Sequence, residues 1–155
     1  MSETGFFLSS SKNYPLLAKS VFTLDYDYDF EVISIVSSVK EYRLCLVLNN
    51  LFGFDMYPLP DLEVQLKRKK NTAIFHIFHH YDDIDKMNYY LIGNKFESEL
   101  LLPQLKMVDY VLKLEGFKAA EIKAEMIVKL KNATQIQAVL DTQLNSLKDK
   151  TNLLF

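Results

Sequence analysis

The sequence predicts an α+β fold, in which a mixed, mostly antiparallel sheet carries two main helices on one face. Short segments rich in β-branched and aromatic residues alternate with only two longer segments of helical periodicity. The 155 residues have the length of one domain, and four glycines and four prolines leave little material for linkers. We therefore expect a single domain over residues 1–155, with the polar residues 1–15 loosely held. A ferredoxin-like arrangement is an option for part of the sheet.

Two segments are predicted to be helices, at residues 39–52 and 118–131. In the first, Ser38 and Glu41 have the spacing of a capping box, in which each side chain bonds the backbone of the other residue. Gly53 follows as a C-terminal stop, since glycine readily adopts the left-handed conformation that ends many helices. Apolar residues of the second helix recur on one face, which predicts that this face packs on the sheet.

The other regular segments are predicted to be strands, because apolar and polar residues alternate or β-branched residues are frequent. They begin with an alternating segment after Ser20 and continue at residues 31–36, 62–67, 72–81, 88–95, 108–114 and 134–140. Residues 56–60 contain two prolines and are predicted to be a loop. Residues 100–107, which include Pro103, are expected to form an irregular crossover or one short turn.

Composition and charge argue against several classes of protein. The net charge of -2 and the isoelectric point near 5.9 are atypical of a dedicated nucleic-acid-binding protein, which usually carries a basic surplus. Cys45 is the only cysteine and has apolar neighbours, so we expect a buried thiol and neither a disulfide nor a cysteine-based zinc site. No apolar run approaches the ~20 residues of a membrane span, and the first residues lack a signal-peptide pattern. We therefore expect a cytoplasmic protein without a cofactor or a membrane partner.

Three histidines, His76, His79 and His80, invite a metal hypothesis. On a helix, His76 and His80 would share one face and form a workable zinc pair. The β-branched and aromatic neighbours favour a strand, on which these two lie ~13 Å apart and His79 points to the opposite face. One ion cannot be bound by two residues in that arrangement, so we predict structural or surface histidines and no metal site.

Four consecutive basic residues form the predicted tip of a hairpin: Lys67, Arg68, Lys69 and Lys70. They are suited to contact phosphate, and equally to keep a turn soluble and a sheet edge unpaired. Aromatic residues on the adjacent predicted strands weakly resemble a base-stacking platform, although packing between strands is their commoner use. They are Phe75, Phe78, Tyr81, Tyr89 and Tyr90. Nucleic acid is therefore an alternative partner and not the main hypothesis.

Residues 102–110, the signature segment, form the most informative motif and read Leu-Pro-Gln-Leu-Lys-Met-Val-Asp-Tyr. The segment resembles the signature of the IPExxxVDY family, small bacterial proteins of the Bacteroidetes. Four residues fall in register with that pattern: Pro103, Val108, Asp109 and Tyr110. Residues 41–45 and 147–155 also resemble segments of the family.

Two positions of the signature segment depart from the family pattern. Leu102 stands where the family has Ile, and Gln104 stands where the family has Glu. A mechanism that needs a carboxylate at position 104 therefore fails in this chain. No activity is assigned to the family, so the resemblance implies kinship and does not imply a reaction.

Asp109 and Tyr110 are neighbours on a predicted strand, so their side chains are expected on opposite faces. A partly buried Asp109 would accept backbone N–H bonds and hold the crossover, with Arg43 as its expected ion partner. The alternative makes Asp109 a general acid or base, but no second carboxylate, nucleophile or glycine-rich phosphate loop accompanies it. The candidate binding residues are Pro103, Gln104, Val108, Asp109, Tyr110 and Arg43, and no residue is assigned a catalytic role.

Three hypotheses for function follow. The first is a non-catalytic module that binds a protein partner or forms a homo-oligomer, because no catalytic set is assembled. Abundant Tyr and Phe and the apolar end Leu153, Leu154 and Phe155 would supply its interface, since aromatic residues are enriched there. The second is a small-molecule binder or enzyme with a pocket near Asp109 and Tyr110. The third is an RNA-associated factor that uses the basic tip.

Overall fold

The computed structural model describes residues 30–65 and 71–155. Its strands are β1 Phe30–Val36, β2 Tyr57–Gln65, β3 Thr72–Asp82, β4 Met87–Gly93, β5 Lys95–Phe96, β6 Glu99–Leu100, β7 Tyr110–Glu115 and β8 Ala138–Thr142. Its helices are α1 Glu41–Phe52 and α2 Ala119–Lys131, and two 3₁₀ turns follow at Leu144–Ser146 and Lys150–Leu153. The strand predicted after Ser20, the basic tip at 67–70 and the loosely held residues 1–15 lie outside the described residues.

Six strands form one sheet in the order β2-β3-β4-β7-β1-β8, and β5 and β6 form a separate small hairpin. Every neighbouring pair in the large sheet is antiparallel. The helix α1 joins β1 to β2, and α2 joins β7 to β8, so each helix connects strands that are not adjacent. The prediction of an α+β fold with a mostly antiparallel sheet is confirmed, whereas a ferredoxin-like core stays a prediction.

One face of the sheet packs against both helices. Leu44 and Leu48 of α1 and Met126 of α2 are buried in the same apolar cluster as Ile33 of β1 and Leu112 of β7. The helical residues recur at i and i+4, which places them on one side of each helix. This burial supplies the main hydrophobic core.

The opposite face, which we call the second face, is covered by irregular segments. Its buried cluster joins strand residues to leucines from the signature segment and from the C-terminal residues 144–155. The covering side chains are Leu101, Leu102, Val108, Leu147 and Leu153. Because β7 is therefore buried on both faces, four of its six side chains are apolar, and the buried charged residue Lys113 needs a specific partner.

The start of α1 differs from the prediction, and its end agrees. The residue before the helix is Lys40, and no side chain caps the first turn, so the predicted capping box of Ser38 and Glu41 is wrong. The backbone N–H of Ser38 instead donates to the side-chain oxygen of Gln137 at 3.0 Å. Gly53 ends the helix in the left-handed conformation, with φ of 70°, as predicted.

Two predicted segments differ from the structure, one loop and one strand. Residues 57–60 belong to β2, so the predicted loop at 56–60 is wrong for most of its length. Pro58 and Pro60 are tolerated because β2 is an edge strand of the described sheet and its register is irregular between Leu59 and Leu62. The last strand, β8, begins four residues after the predicted start at Thr134.

Candidate functional site

The signature segment folds into two tight turns over the second face. Leu105 donates its backbone N–H to the carbonyl of Leu102 at 2.9 Å, and Val108 donates to the carbonyl of Leu105 at 3.1 Å. Pro103 is the second residue of the first turn, where its fixed φ is favourable. Val108 is buried and Pro103 is exposed, so the segment anchors itself through apolar residues.

Asn94 organises this segment, and the sequence analysis missed it. Its side chain is 0% exposed and makes three hydrogen bonds. The amide nitrogen donates to the carbonyls of Leu105 at 3.0 Å and Val108 at 2.9 Å, and the amide oxygen accepts the N–H of Leu102 at 2.8 Å. A Gly-Asn pair at the end of an apolar strand is a turn signal that was available in the sequence.

Asp109 ties the start of β7 to the end of β1. One carboxylate oxygen accepts the backbone N–H of Ser37 at 2.9 Å, and the other accepts Nζ of Lys95 at 2.9 Å. The carboxylate is partly exposed, so the ion pair with Lys95 is screened by water. The predicted ion pair with Arg43 is wrong, because Arg43 lies on the exposed side of α1, one position before the buried Leu44.

Tyr110 points to the helix face and fixes the segment before α1. Its hydroxyl donates to the carbonyl of Val39 at 2.5 Å. Burial raises the pKa of Tyr110 to about 12, and the neighbouring Glu41 and Asp109 carboxylates and the Cys45 thiol add to the effect. The phenol therefore stays protonated at neutral pH, and it holds a structural hydrogen bond.

A shallow pocket of about 260 Å³ lies beside these groups. It is lined by residues 37–41 together with Gly93, Lys95, Asp109 and Tyr110. Its volume is below the ~300–1,000 Å³ of typical ligand pockets. Both oxygens of Asp109 and the hydroxyl of Tyr110 are already bonded, so these two residues offer the pocket no free acid or base.

Gln104 links the signature segment to the C-terminal residues. Its side-chain amide donates to the carbonyl of Ser146 at 3.3 Å, and Asn152 donates to the carbonyl of Leu101 at 2.9 Å. A carboxylate cannot donate this bond, so the family's Glu would not replace Gln104 in this contact.

Lys113 is the buried charged residue of β7, and the sequence pattern does not single it out. It is 1% exposed on the second face, and Nζ donates to the carbonyl of Leu153 at 2.7 Å. Nζ also lies 4.6 Å from the ring centroid of Phe30, 5.2 Å from that of Tyr90 and 4.1 Å from that of Phe155. Burial lowers the pKa of Lys113, and the three rings and the carbonyl offset part of the cost of burying its charge.

Beside Lys113, four rings form a continuous aromatic row on the second face: Tyr57, His79, Tyr90 and Phe155. Tyr57 lies opposite His79, and His79 lies opposite Tyr90, in the register of β2, β3 and β4. Ring centroids are 5.7 Å apart for Tyr57 and His79, 4.7 Å for His79 and Tyr90, and 5.1 Å for Tyr90 and Phe155. The row therefore crosses three strands and ends on the C-terminal residue.

The base-stacking platform considered from the sequence does not assemble. Phe75 and Tyr89 are both buried, and they belong to the clusters on opposite faces of the sheet. Phe78 packs against the cluster on the helix face. Successive side chains of a strand point to opposite faces, so the five aromatic residues are divided between the two faces of the sheet.

Each histidine has its own structural partner. His76 contacts the carboxylate of Asp61 at 3.0 Å, and His80 accepts the backbone N–H of Asp55 at 3.0 Å. His79 contacts the side-chain oxygen of Asn88 at 2.7 Å. In residues 30–65 and 71–155, no three His, Cys, Asp or Glu side chains are grouped to bind a metal ion.

Comparisons with known proteins add no relative to this description. No protein-family model, no curated protein and no solved structure matches the chain. The resemblance of the signature segment to the IPExxxVDY family therefore stays a prediction. Among the described residues, neither helix has the length and apolar character required to cross a membrane.

Proposed function

We propose that the chain is a non-catalytic binding module that pairs with a second copy of itself. The observation that carries the proposal is the aromatic row, whose end members Tyr57 and Phe155 are 48% and 45% exposed. Aromatic side chains are enriched at protein interfaces because they bury a large area with few rotatable bonds. A continuous row of rings with exposed ends therefore has the composition of a docking surface.

A second copy is the partner we favour, because this face already packs against an aromatic ring from a segment outside the sheet. Phe155 lies edge-on to Tyr90, and His79 is stacked on the same tyrosine. In a two-fold pair, each copy offers the same rings to the other. The row is thus suited to self-complementary packing.

The size of the row predicts a weak pair. With its neighbours Leu154 and Tyr81, both exposed, it is much smaller than a standard interface of about 20–30 residues a side. We therefore expect a dissociation constant on the order of 10–100 µM.

The signature segment supports a module without catalysis. The polar groups of Asp109, Tyr110 and Asn94 all bond the chain itself: Asn94 holds the signature segment, and Asp109 and Tyr110 hold residues 37 and 39 before α1. A small-molecule site near Asp109 and Tyr110 is the second candidate, favoured only by the presence of a pocket beside these residues. Membership of the IPExxxVDY family and a cytoplasmic location are further proposals, which rest on the sequence.

Sedimentation equilibrium of the full chain between about 5 and 500 µM tests the proposal. We expect the mean mass to rise toward that of a dimer, and the double variant Tyr57→Ser, Phe155→Ser to weaken pairing by about tenfold or more. Tyr42→Ser is the matched control, because Tyr42 is an exposed tyrosine on α1, away from the row. A monomer at every concentration, or a dimer weakened only by the control, would contradict the proposal.

A further inference from the structure

A second cleft lies between the C-terminal end of α1, the helix α2 and the turn between β3 and β4. Its volume is about 220 Å³. Phe52 and Phe54 form part of its apolar wall, and three acidic residues, Asp82, Asp85 and Glu125, also line it. That volume equals about seven water molecules, which suits a ligand of side-chain size.

Tyr89 lines the cleft with a hydroxyl group that needs a partner. The residue is 3% exposed, and its ring is fixed against Phe54, with centroids 4.3 Å apart. This hydroxyl makes no hydrogen bond within the described part of the chain. Buried polar groups are nearly always bonded, so a buried hydroxyl without a protein partner at a cleft indicates a ligand or water there.

The charges around the cleft favour a cation. Asp85 is paired with Lys118 at 2.9 Å, and one oxygen of Asp82 accepts the backbone N–H of Ile84 at 2.9 Å. Glu125 is exposed on α2 and has no ion-pair or hydrogen-bond partner within the described part of the chain. Lys129 is the one basic residue in the lining.

The aromatic wall already interacts with an ammonium group of the chain itself. Nζ of Lys129 lies 6.0 Å from the centroid of the Phe52 ring, within the range of a cation–π interaction. The acidic groups of the described residues are not grouped as metal ligands. A rigid aromatic wall beside separated carboxylates suits an organic cation that has an apolar stem.

We propose that this cleft binds an alkylammonium or alkylguanidinium group, with its stem on Phe52 and Phe54 and its charge between Glu125 and the Tyr89 hydroxyl. The same chemistry is available from a free amine and from a lysine or arginine side chain of another protein. This site is independent of the aromatic row, since none of the four rings of the row lines the cleft.

Amide chemical shifts of the full chain, titrated with n-pentylammonium and with its neutral analogue 1-pentanol, test the proposal. We expect saturable shifts in α2 and the β3–β4 turn with the cation, and binding of the alcohol that is weaker by about tenfold. Glu125→Gln should weaken cation binding by about three- to tenfold. Glu121→Gln, an exposed residue of α2 outside the lining, is the matched control and should change nothing.

Two further measurements make the test decisive. Tyr89→Phe should weaken cation binding without lowering stability, because the hydroxyl that it removes has no partner in the described chain. Titration with Nα-acetyl-lysine amide distinguishes the sources: tighter binding than n-pentylammonium assigns a protein side chain, and weaker binding assigns a free amine. Equal binding of cation and alcohol, or a Glu125→Gln variant that binds like the control, would overturn the proposal.

Discussion

The carboxylate of Asp109 accepts the backbone N–H of Ser37 at 2.9 Å, across 72 positions of sequence. Ser37 is almost fully buried, so its N–H depends on this carboxylate as its acceptor within the fold. The bond joins the end of β1 to the residue before β7, two adjacent strands of the sheet. Asp109 is thereby a structural residue of the signature segment.

Removal of this acceptor should destabilise the fold more than removal of the ion pair. Asp109→Ala leaves the Ser37 N–H unbonded, and we expect a loss of about 2 kcal/mol in the free energy of unfolding. Lys95→Ala removes only the exposed partner, and we expect a loss below about 1 kcal/mol. Urea unfolding measures both, and equal losses would show that the ion pair is the main contribution.

Asn94→Ala should lower the free energy of unfolding by about 3 kcal/mol, because it removes three buried hydrogen bonds at once. This loss is larger than those expected for Asp109→Ala and Lys95→Ala. Asn50→Ala is the matched control, because Asn50 is exposed on α1, and its effect should stay within about 0.5 kcal/mol. The comparison uses urea unfolding at neutral pH. Similar losses for the two variants would mean that Asn94 does not hold the signature segment in solution.

Stability should fall at alkaline pH. Burial raises the pKa of Cys45 from 9.0 to about 11 and the pKa of Tyr110 from 10.0 to about 12. Between these values the unfolded chain releases protons that the folded chain keeps, so the stability present below pH 9 is lost as the pH rises toward 12.

Urea unfolding at several pH values between about 8 and 11 measures this loss. Cys45→Ala should remove the part of the loss that begins at the lower pH. The pKa of Lys113 is lowered by burial, so its contribution has the opposite sign, and Lys113→Met should steepen the fall. Stability of the Lys113→Met variant that stays constant up to pH 11 would contradict the burial of both acidic groups.

The basic tip gives a prediction about RNA. Because the net charge is -2, we expect negligible binding of single-stranded RNA at physiological salt, both by the chain and by a variant with Ser or Glu at Lys67, Arg68, Lys69 and Lys70. Fluorescence anisotropy of labelled RNA across a salt series measures this binding. Tight binding, with a salt slope that falls by about three in the variant, would establish the alternative function.

Local signals in the sequence were sufficient for most of the fold. Residues close in sequence determine the strand at 31–36 and the helix end at Gly53. Both lie where predicted. The strand at 57–60 was missed because its two prolines are typical of a loop, and only its edge position makes them acceptable.

The candidate site was less predictable, because its contacts depend on tertiary packing. The partner of Asp109 is Lys95 and not Arg43, since a rotation of one position on α1 decides whether a side chain faces the core. The burial of Lys113 depends on the C-terminal residues that cover the second face, and a strand pattern contains no information about that cover.

Hydroxyl-radical footprinting of the chain at about 1 µM and about 500 µM tests the central claim most directly, because it reports the exposure of each side chain. We predict that Tyr57, His79 and Phe155 lose reactivity at the higher concentration. Met107, which is exposed in the signature segment, should keep its reactivity. Unchanged reactivity in the row, or a loss confined to Met107, would contradict a module that pairs through the aromatic row.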